Sequence, residues 1–168
     1  TMDDHSWVGG NPDGDVTVVE FLDYSCGFCN RAFPEVEKLV ASDGNIRIIV
    51  KVFPILGPQS VLASRFAIAT KMVAGDDAYK EVHDALMGMR GNVSDAALSA
   101  IAADKGLDMA AIRGMMSTPA VDEIIAENRQ LAQAMQITGT PTFVIGGQLL
   151  RGFLPLDGMR EIVEEERG

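Results

Sequence analysis

Cys26 and Cys29 are the only two thiols in 168 residues, and they stand two residues apart in the stretch YSCGFCN at positions 24–30. Two thiols at that spacing suit three chemistries: a small structural disulfide, half of a metal site, or a pair that cycles between dithiol and disulfide. A disulfide across so short a loop gains little, because its stabilisation grows with the length of chain enclosed. A zinc site needs two more ligands. The two histidines, His5 and His83, lie far apart and show none of the paired spacings of zinc motifs.

The elements around the pair bear on the choice. GGNPDGD at positions 9–15 is a cluster of turn formers that ends an N-terminal arm. Val16 to Tyr24 reads as a strand rich in β-branched and aromatic residues, apolar enough to be buried on both faces. From Cys26 to about Ala41 the spacing turns helical, with Phe33, Val36, Leu39 and Val40 on one side and Pro34 expected to kink the helix. A turn at Ser42–Asn45 leads into a second strand, Ile46 to Phe53, closed by Pro54. Strand, helix and strand in this order predict a parallel pair with a crossover helix.

The segment 59–136 changes character: Ala, Met and Leu dominate at helical spacing, with breaks at Gly75, Gly91 and Gly106. About four helices are expected there, with starts at Ser94 and Asp108. Strand character returns at Thr142–Ile145, and Gly146-Gly147 forms a hairpin turn into Gln148–Arg151. A last helix, Pro155 to Arg167, has Asp157 as its expected N-cap and Met159, Ile162 and Val163 as its buried stripe. The fold class is therefore α/β, in the order β-α-β, helices, β-β-α.

In this arrangement the cysteines fall where a strand gives way to a helix. Cys26 occupies the first turn, where unpaired backbone N–H groups and the helix dipole favour an anion. A thiolate is the nucleophile of disulfide exchange, and helix N-termini favour it. Cys29 lies three residues on, on the same face and one turn deeper. Cys26 is expected to be exposed, with Cys29 beneath it. A CxxC pair in a β-α-β setting points to redox chemistry.

Composition excludes other classes. Against 14 basic side chains stand 24 acidic ones, a formal charge of −10 that repels nucleic acid phosphates. No apolar run reaches the length of a membrane span. The chain begins at Thr1 rather than methionine and reads as processed, with a secretion signal expected to have been removed.

Four stretches resemble the DsbA-like thiol–disulfide oxidoreductases: VVEFLDYSCGFC at 18–29, Pro34 eight residues after Cys26, the helical insertion, and TGTPTFVIGG at 138–147. The resemblance runs from about Asn11 to the end. It implies a thioredoxin-like fold with a central sheet of about four or five strands. The expected domains are 1–58 with 137–168 (thioredoxin-like) and 59–136 (an inserted helical unit). It further implies Cys26 as nucleophile, Cys29 as resolving thiol and a cis Thr140–Pro141 bond beside them, with the Thr140 hydroxyl tuning contact with substrate. Glu20 is out of place in an apolar strand, since unpaired burial is costly. The resemblance puts it beneath the cysteines with a raised pKa, helping to move the proton of Cys29. Asp23 is expected at the surface or as a local cap.

The strongest oxidants of that family carry Pro-His between the cysteines. Here Gly27-Phe28 supplies neither cation nor donor, and a less stabilised thiolate makes a weaker oxidant. Phe28 offers an apolar docking surface instead. The implied substrates are cysteine-containing extracytoplasmic or periplasmic proteins, with a redox partner protein to regenerate the pair and no cofactor beyond the disulfide itself. Disulfide formation is the favoured direction, with reduction or isomerisation the alternative. A protein-binding or chaperone module with incidental cysteines is a third reading. His83 reads as a structural helix histidine, the methionines of 72–135 as core more than groove, and the terminal EEER as a solvated helix face.

Overall fold

In chain order the elements are β1 (Trp7–Gly10), β2 (Val16–Leu22), α1 (Gly27–Asp43), β3 (Ile46–Val52), α2 (Pro58–Ala74) and α3 (Asp76–Met87). Then follow α4 (Asp95–Asp104), α5 (Met109–Met116), α6 (Pro119–Ala134), β4 (Thr142–Ile145), β5 (Gln148–Arg151) and α7 (Leu156–Arg167). The computed structural model describes residues 5–168. The expectation of processing at Thr1 lies outside them.

The two most apolar runs pair as expected. β2 and β3 lie parallel, with Val18 opposite Ile48 and Leu22 opposite Val52. Burial on both faces removes the alternation an exposed sheet would show. β4 adds antiparallel to the far side of β2, and β5 returns from it through the Gly146-Gly147 turn, so the sheet order is β1-β3-β2-β4-β5. α1 and α7 cover one face, where Val18, Val36, Leu39, Ile48, Phe143 and Met159 form one apolar cluster. α1 ends at Gly44, whose φ of 76° needs a residue without a Cβ and whose N–H returns to the Val40 carbonyl.

Several expectations are corrected. The N-terminal arm is a strand: β1 pairs antiparallel with β3, Trp7 opposite Val50. Its four residues are too short, and too rich in glycine, to show a strand pattern in sequence. The Trp7 indole folds back over Gly9, where a Cβ would meet the ring at 2.0 Å. Among the described residues the segment between β3 and β4 holds five helices rather than about four. The one missed begins at Pro119 after Thr118, which makes no side-chain cap bond. Ser94 and Asp108 cap α4 and α5 as expected. Pro155, not Asp157, is the N-cap of α7. The EEER terminus is no free solvated face. Arg167 pairs with Asp15 and Asp43, and Glu166 accepts from the backbone of Gly147. Met87 and Met116 are buried, while Met89, Met109 and Met115 pack against the same cluster, so these methionines belong to the core.

Phe143, fully buried between α1, α7 and β2, is the largest side chain of that face's cluster. Phe143→Ala should cost about 3–5 kcal/mol of unfolding free energy, read as a lower midpoint in urea with an unchanged slope.

Candidate active site

β2 ends at Leu22, and four residues carry the chain from it to the head of α1. Cys26 is the N-cap of α1, with extended backbone (φ −84°, ψ 118°) and a sulfur that accepts from the Cys29 N–H at 3.5 Å. A cap side chain ordinarily offers oxygen there; here sulfur meets one of the orphan donors of the first turn. The Cys26 N–H is fixed by the Asp23 carbonyl at 3.1 Å. On its other side the Cys26 thiol donates to the carbonyl of Thr140 at 3.5 Å.

Cys26 is not the exposed thiol expected. It keeps only 6% of its surface, and Cys29 keeps none. Its thiol faces the Thr140 carbonyl, and it belongs to the buried apolar cluster that includes Leu22, Tyr24 and Phe66. The order of depth stands, with Cys29 the deeper of the two. Burial pushes the Cys29 thiol well above its ordinary pKa; the Cys26 sulfur adds to the rise, and the hydrogen bond with the Asp23 backbone opposes it.

The Thr140–Pro141 peptide bond is cis. Pro141 is buried and Thr140 is half-buried. Thr140 meets Cys26 through its backbone carbonyl. The loop is braced by Thr142 Oγ1 on the Gly139 carbonyl (2.7 Å) and by the Gly152 N–H on that of Pro141 (2.8 Å). Gly27 opens α1 at the surface, and Phe28 beside it is 60% exposed. The dipeptide is not without a cation nearby, because the Arg31 guanidinium lies over the Phe28 ring at 4.6 Å. The three-residue spacing on one helix was the available signal for that pair.

Asp23 is the largest correction. Expected at the surface or as a local cap, it is fully buried. Its Oδ1 accepts from Ser25 N–H (2.8 Å) and Ser60 Oγ (2.7 Å), and its Oδ2 from Ile55 N–H (2.9 Å) and Leu56 N–H (3.1 Å). A second missed residue is Asn30. Its Nδ2 donates to the carbonyls of Tyr24 (3.3 Å) and Met87 (3.0 Å), tying the first turn of α1 to the end of α3.

Glu20 sits on β2 two residues before Leu22, on the face that α1 covers, and is 3% exposed. Its Oε2 has no hydrogen-bond partner. Burial first, and the Glu37 carboxylate second, raise its pKa to about 8. It opens on a cavity of about 190 Å³ walled by Trp7, Phe33 and Val36 and edged by Glu37, Lys80 and His83. Phe33 follows Cys29 by one helical turn, and the cavity runs from it along α1 to Val40 and Ala41. At its edge Lys80 Nζ bonds Glu37 at 2.8 Å and lies over the rings of Trp7 and Phe33.

His83 is buried and hydrogen-bonded to the Tyr24 hydroxyl at 2.7 Å, with Tyr79 stacked on it at 5.8 Å. Burial, with Lys80 nearby, pulls its pKa down to about 3, so it stays uncharged at neutral pH. It is the hydrogen-bonded helix histidine expected. His5 lies elsewhere, paired with Glu127. Among the described residues no group of three or more metal-ligating side chains is assembled.

Raising the pKa of Glu20 on folding means the folded chain binds more protons than the unfolded one between about 4.5 and about 8. Stability therefore falls as pH rises through that window. Glu20→Gln should abolish this contribution to the slope, and between pH 5 and pH 8 the variant should gain on the wild type by roughly 1 kcal/mol or more of unfolding free energy, read from urea titrations.

A family model, the DSBA-like thioredoxin domain, matches residues 17–164. Among solved structures, a thioredoxin-like oxidoreductase from Silicibacter pomeroyi DSS-3 superposes with a TM-score of 0.92 at 40% identity, covering 98% of this chain and 94% of that one. The thiol-disulfide exchange protein alpha-DsbA2 from Wolbachia pipientis gives 0.87 at 30% identity, covering 95% and 86%. A periplasmic thioredoxin-like protein from Salmonella enterica serovar Typhimurium gives 0.84 at 29%, covering 96% and 90%. The chain is also 31% identical over 163 residues to a Na(+)/H(+) antiporter, NhaA 1 of Salinispora arenicola, covering 95% of this chain and 24% of the antiporter. It thus spans about a quarter of the length of the first curated relatives it matches. A match that runs from Thr17 in β2 to Glu164 in α7 makes this chain a member of the DSBA-like thioredoxin domain family.

Proposed function

We propose that this chain exchanges a Cys26–Cys29 disulfide with cysteines of extracytoplasmic proteins, in the direction of disulfide formation. The observation that carries the reading is the placement of the two sulfurs. One caps a helix within 3.5 Å of the Thr140 carbonyl, and the other is sealed one turn beneath it. Residues 59–136 act as an inserted helical unit that roofs this site, within a thioredoxin-like body of 1–58 and 137–168. The periplasmic relative and the absence of further cysteines favour an extracytoplasmic setting.

In the oxidising direction a substrate thiolate attacks Cys26 Sγ of the disulfide. A substrate–Cys26 bond forms, the Cys26–Cys29 bond breaks, and Cys29 leaves as thiolate. Its high proton affinity, a consequence of burial, draws a proton at once, and Glu20 below it is held protonated near neutral pH to give one. The substrate's second thiolate then attacks its own sulfur in the mixed disulfide and releases Cys26. Two electrons have passed to the chain, and a redox partner protein must remove them. No metal or organic cofactor enters, because the electrons stay on sulfur.

One observation favours the reductive or isomerising alternative. Gly27 and Phe28 bring no side-chain donor to the Cys26 sulfur, whose hydrogen bonds run to Cys29 N–H and Thr140 O. A thiolate held by fewer donors makes the disulfide more stable and the chain a weaker oxidant. Equilibration in glutathione buffers decides between them. A reduction potential near about −120 mV marks the oxidase, and one near about −270 mV overturns that direction in favour of a reductant.

Cys26→Ser should abolish exchange with a reduced, unfolded protein substrate. Mixed with a substrate that already carries a disulfide, Cys29→Ser should instead trap the substrate–Cys26 mixed disulfide, seen as a covalent species on non-reducing gels. The Cys26 thiolate displaces one substrate thiolate, and no second thiol releases the adduct. Full refolding activity in the double Ser variant would replace the redox reading with a cysteine-independent binding module.

A further inference from the structure

The Asp23 carboxylate is fully buried with no cation bonded to it, and each of its four hydrogen bonds comes from a different donor. One donor, Ser25 N–H, belongs to the turn that delivers Cys26. Two, the amides of Ile55 and Leu56, belong to the loop after β3. The fourth, the Ser60 hydroxyl, is in the first turn of α2. The backbone carbonyl of the same residue holds the Cys26 N–H. One side chain thus joins the Cys26 turn to the loop after β3 and to the first turn of α2 into which that loop leads.

The loop so held carries an exposed apolar edge: Leu56 is 56% exposed and Ile55 is 38% exposed. Phe28, two residues after Cys26, adds a third exposed apolar side chain. Loop residues with no helix or strand partner move unless their backbone donors are satisfied. Here the satisfying acceptor is the residue that also sets the turn of the nucleophile.

We propose that Asp23 is a positioning residue: it clamps the Ile55–Leu56 edge to the Cys26 turn, so that a polypeptide thiol flanked by an apolar residue meets both at once. The kinetic consequence rests on the redox function proposed above, and the hydrogen-bonding consequence does not. A small dithiol reaches Cys26 without touching the edge and is indifferent to the clamp.

Asp23→Asn keeps the size of the side chain but turns one acceptor into a donor that faces another donor. The amides of Ile55 and Leu56 should then exchange with deuterium about tenfold faster by NMR, with the sheet amides unchanged. Turnover of a short peptide carrying two cysteines, each beside a leucine, should show KM raised about fivefold and kcat within about twofold, with glutathione disulfide regenerating the enzyme. Dithiothreitol as substrate should lose at least about threefold less in kcat/KM than the peptide does. Amides as protected as in the wild type overturn the clamp. So does an equal fall in kcat for peptide and dithiothreitol with KM unmoved. Should Asp23→Asn not fold, Ser60→Ala removes one of the four bonds and should speed the same two amides about threefold; no change there overturns the clamp. If the wild type oxidises neither substrate, the redox reading fails, and the amide exchange still judges the clamp.

Discussion

A helix start leaves backbone N–H groups without partners, and in this chain the sulfur of Cys26 stands among them as the cap of α1. That placement is the constraint on which the rest depends. A sulfur can act as cap and nucleophile only if the turn before it is held, since a cap residue has extended backbone and no helix bonds of its own. The structure holds it twice over, by the Asp23 carbonyl on the Cys26 N–H and by Asn30 bridging Tyr24 to Met87. The parallel pairing of β2 with β3 puts this turn at the C-terminal edge of the sheet, beside the loop that follows β3.

Beneath the turn the interior is unusually polar. Glu20 and His83 are buried, and each is drawn toward its neutral form by loss of water. They differ in how they are satisfied. His83 is enclosed by Trp7, Tyr24, Phe33 and Tyr79 and bonded to a hydroxyl, which suits a structural part. Glu20 leaves an oxygen unpartnered beside a cavity, which suits a group that exchanges a proton. The Lys80–Glu37 pair at the cavity edge joins α3 to α1, so α3 contributes to the surroundings of the acid. Lys80 also lies over two aromatic rings there, which favours keeping its charge at the edge.

Elements that declare themselves locally were readable. The apolar runs of β2 and β3, the Gly-Gly hairpin, and the Ser94 and Asp108 caps each carry their signal within a few residues. β1 was not, because Trp7–Gly10 has two glycines and gains its identity only by pairing with β3. Asp23 and Asn30 were not, because their donors and acceptors come from positions 55, 56, 60 and 87. The burial of Cys26 was missed for the same reason: the carbonyl that its thiol faces is that of Thr140, 114 residues away.

The sequence alone determined which groups stand together along the chain: two thiols at CxxC spacing where a strand becomes a helix, an acid six residues earlier in an apolar strand, and a Thr-Pro before a late strand. Those features depend on residue type and short spacing, which is information the chain carries locally. Only the tertiary structure decided how deep the sulfurs lie, which carbonyl faces the nucleophile, and that Asp23 is a hub rather than a surface residue. Burial and hydrogen bonding across distant segments are settled by packing, and packing is a property of the whole fold.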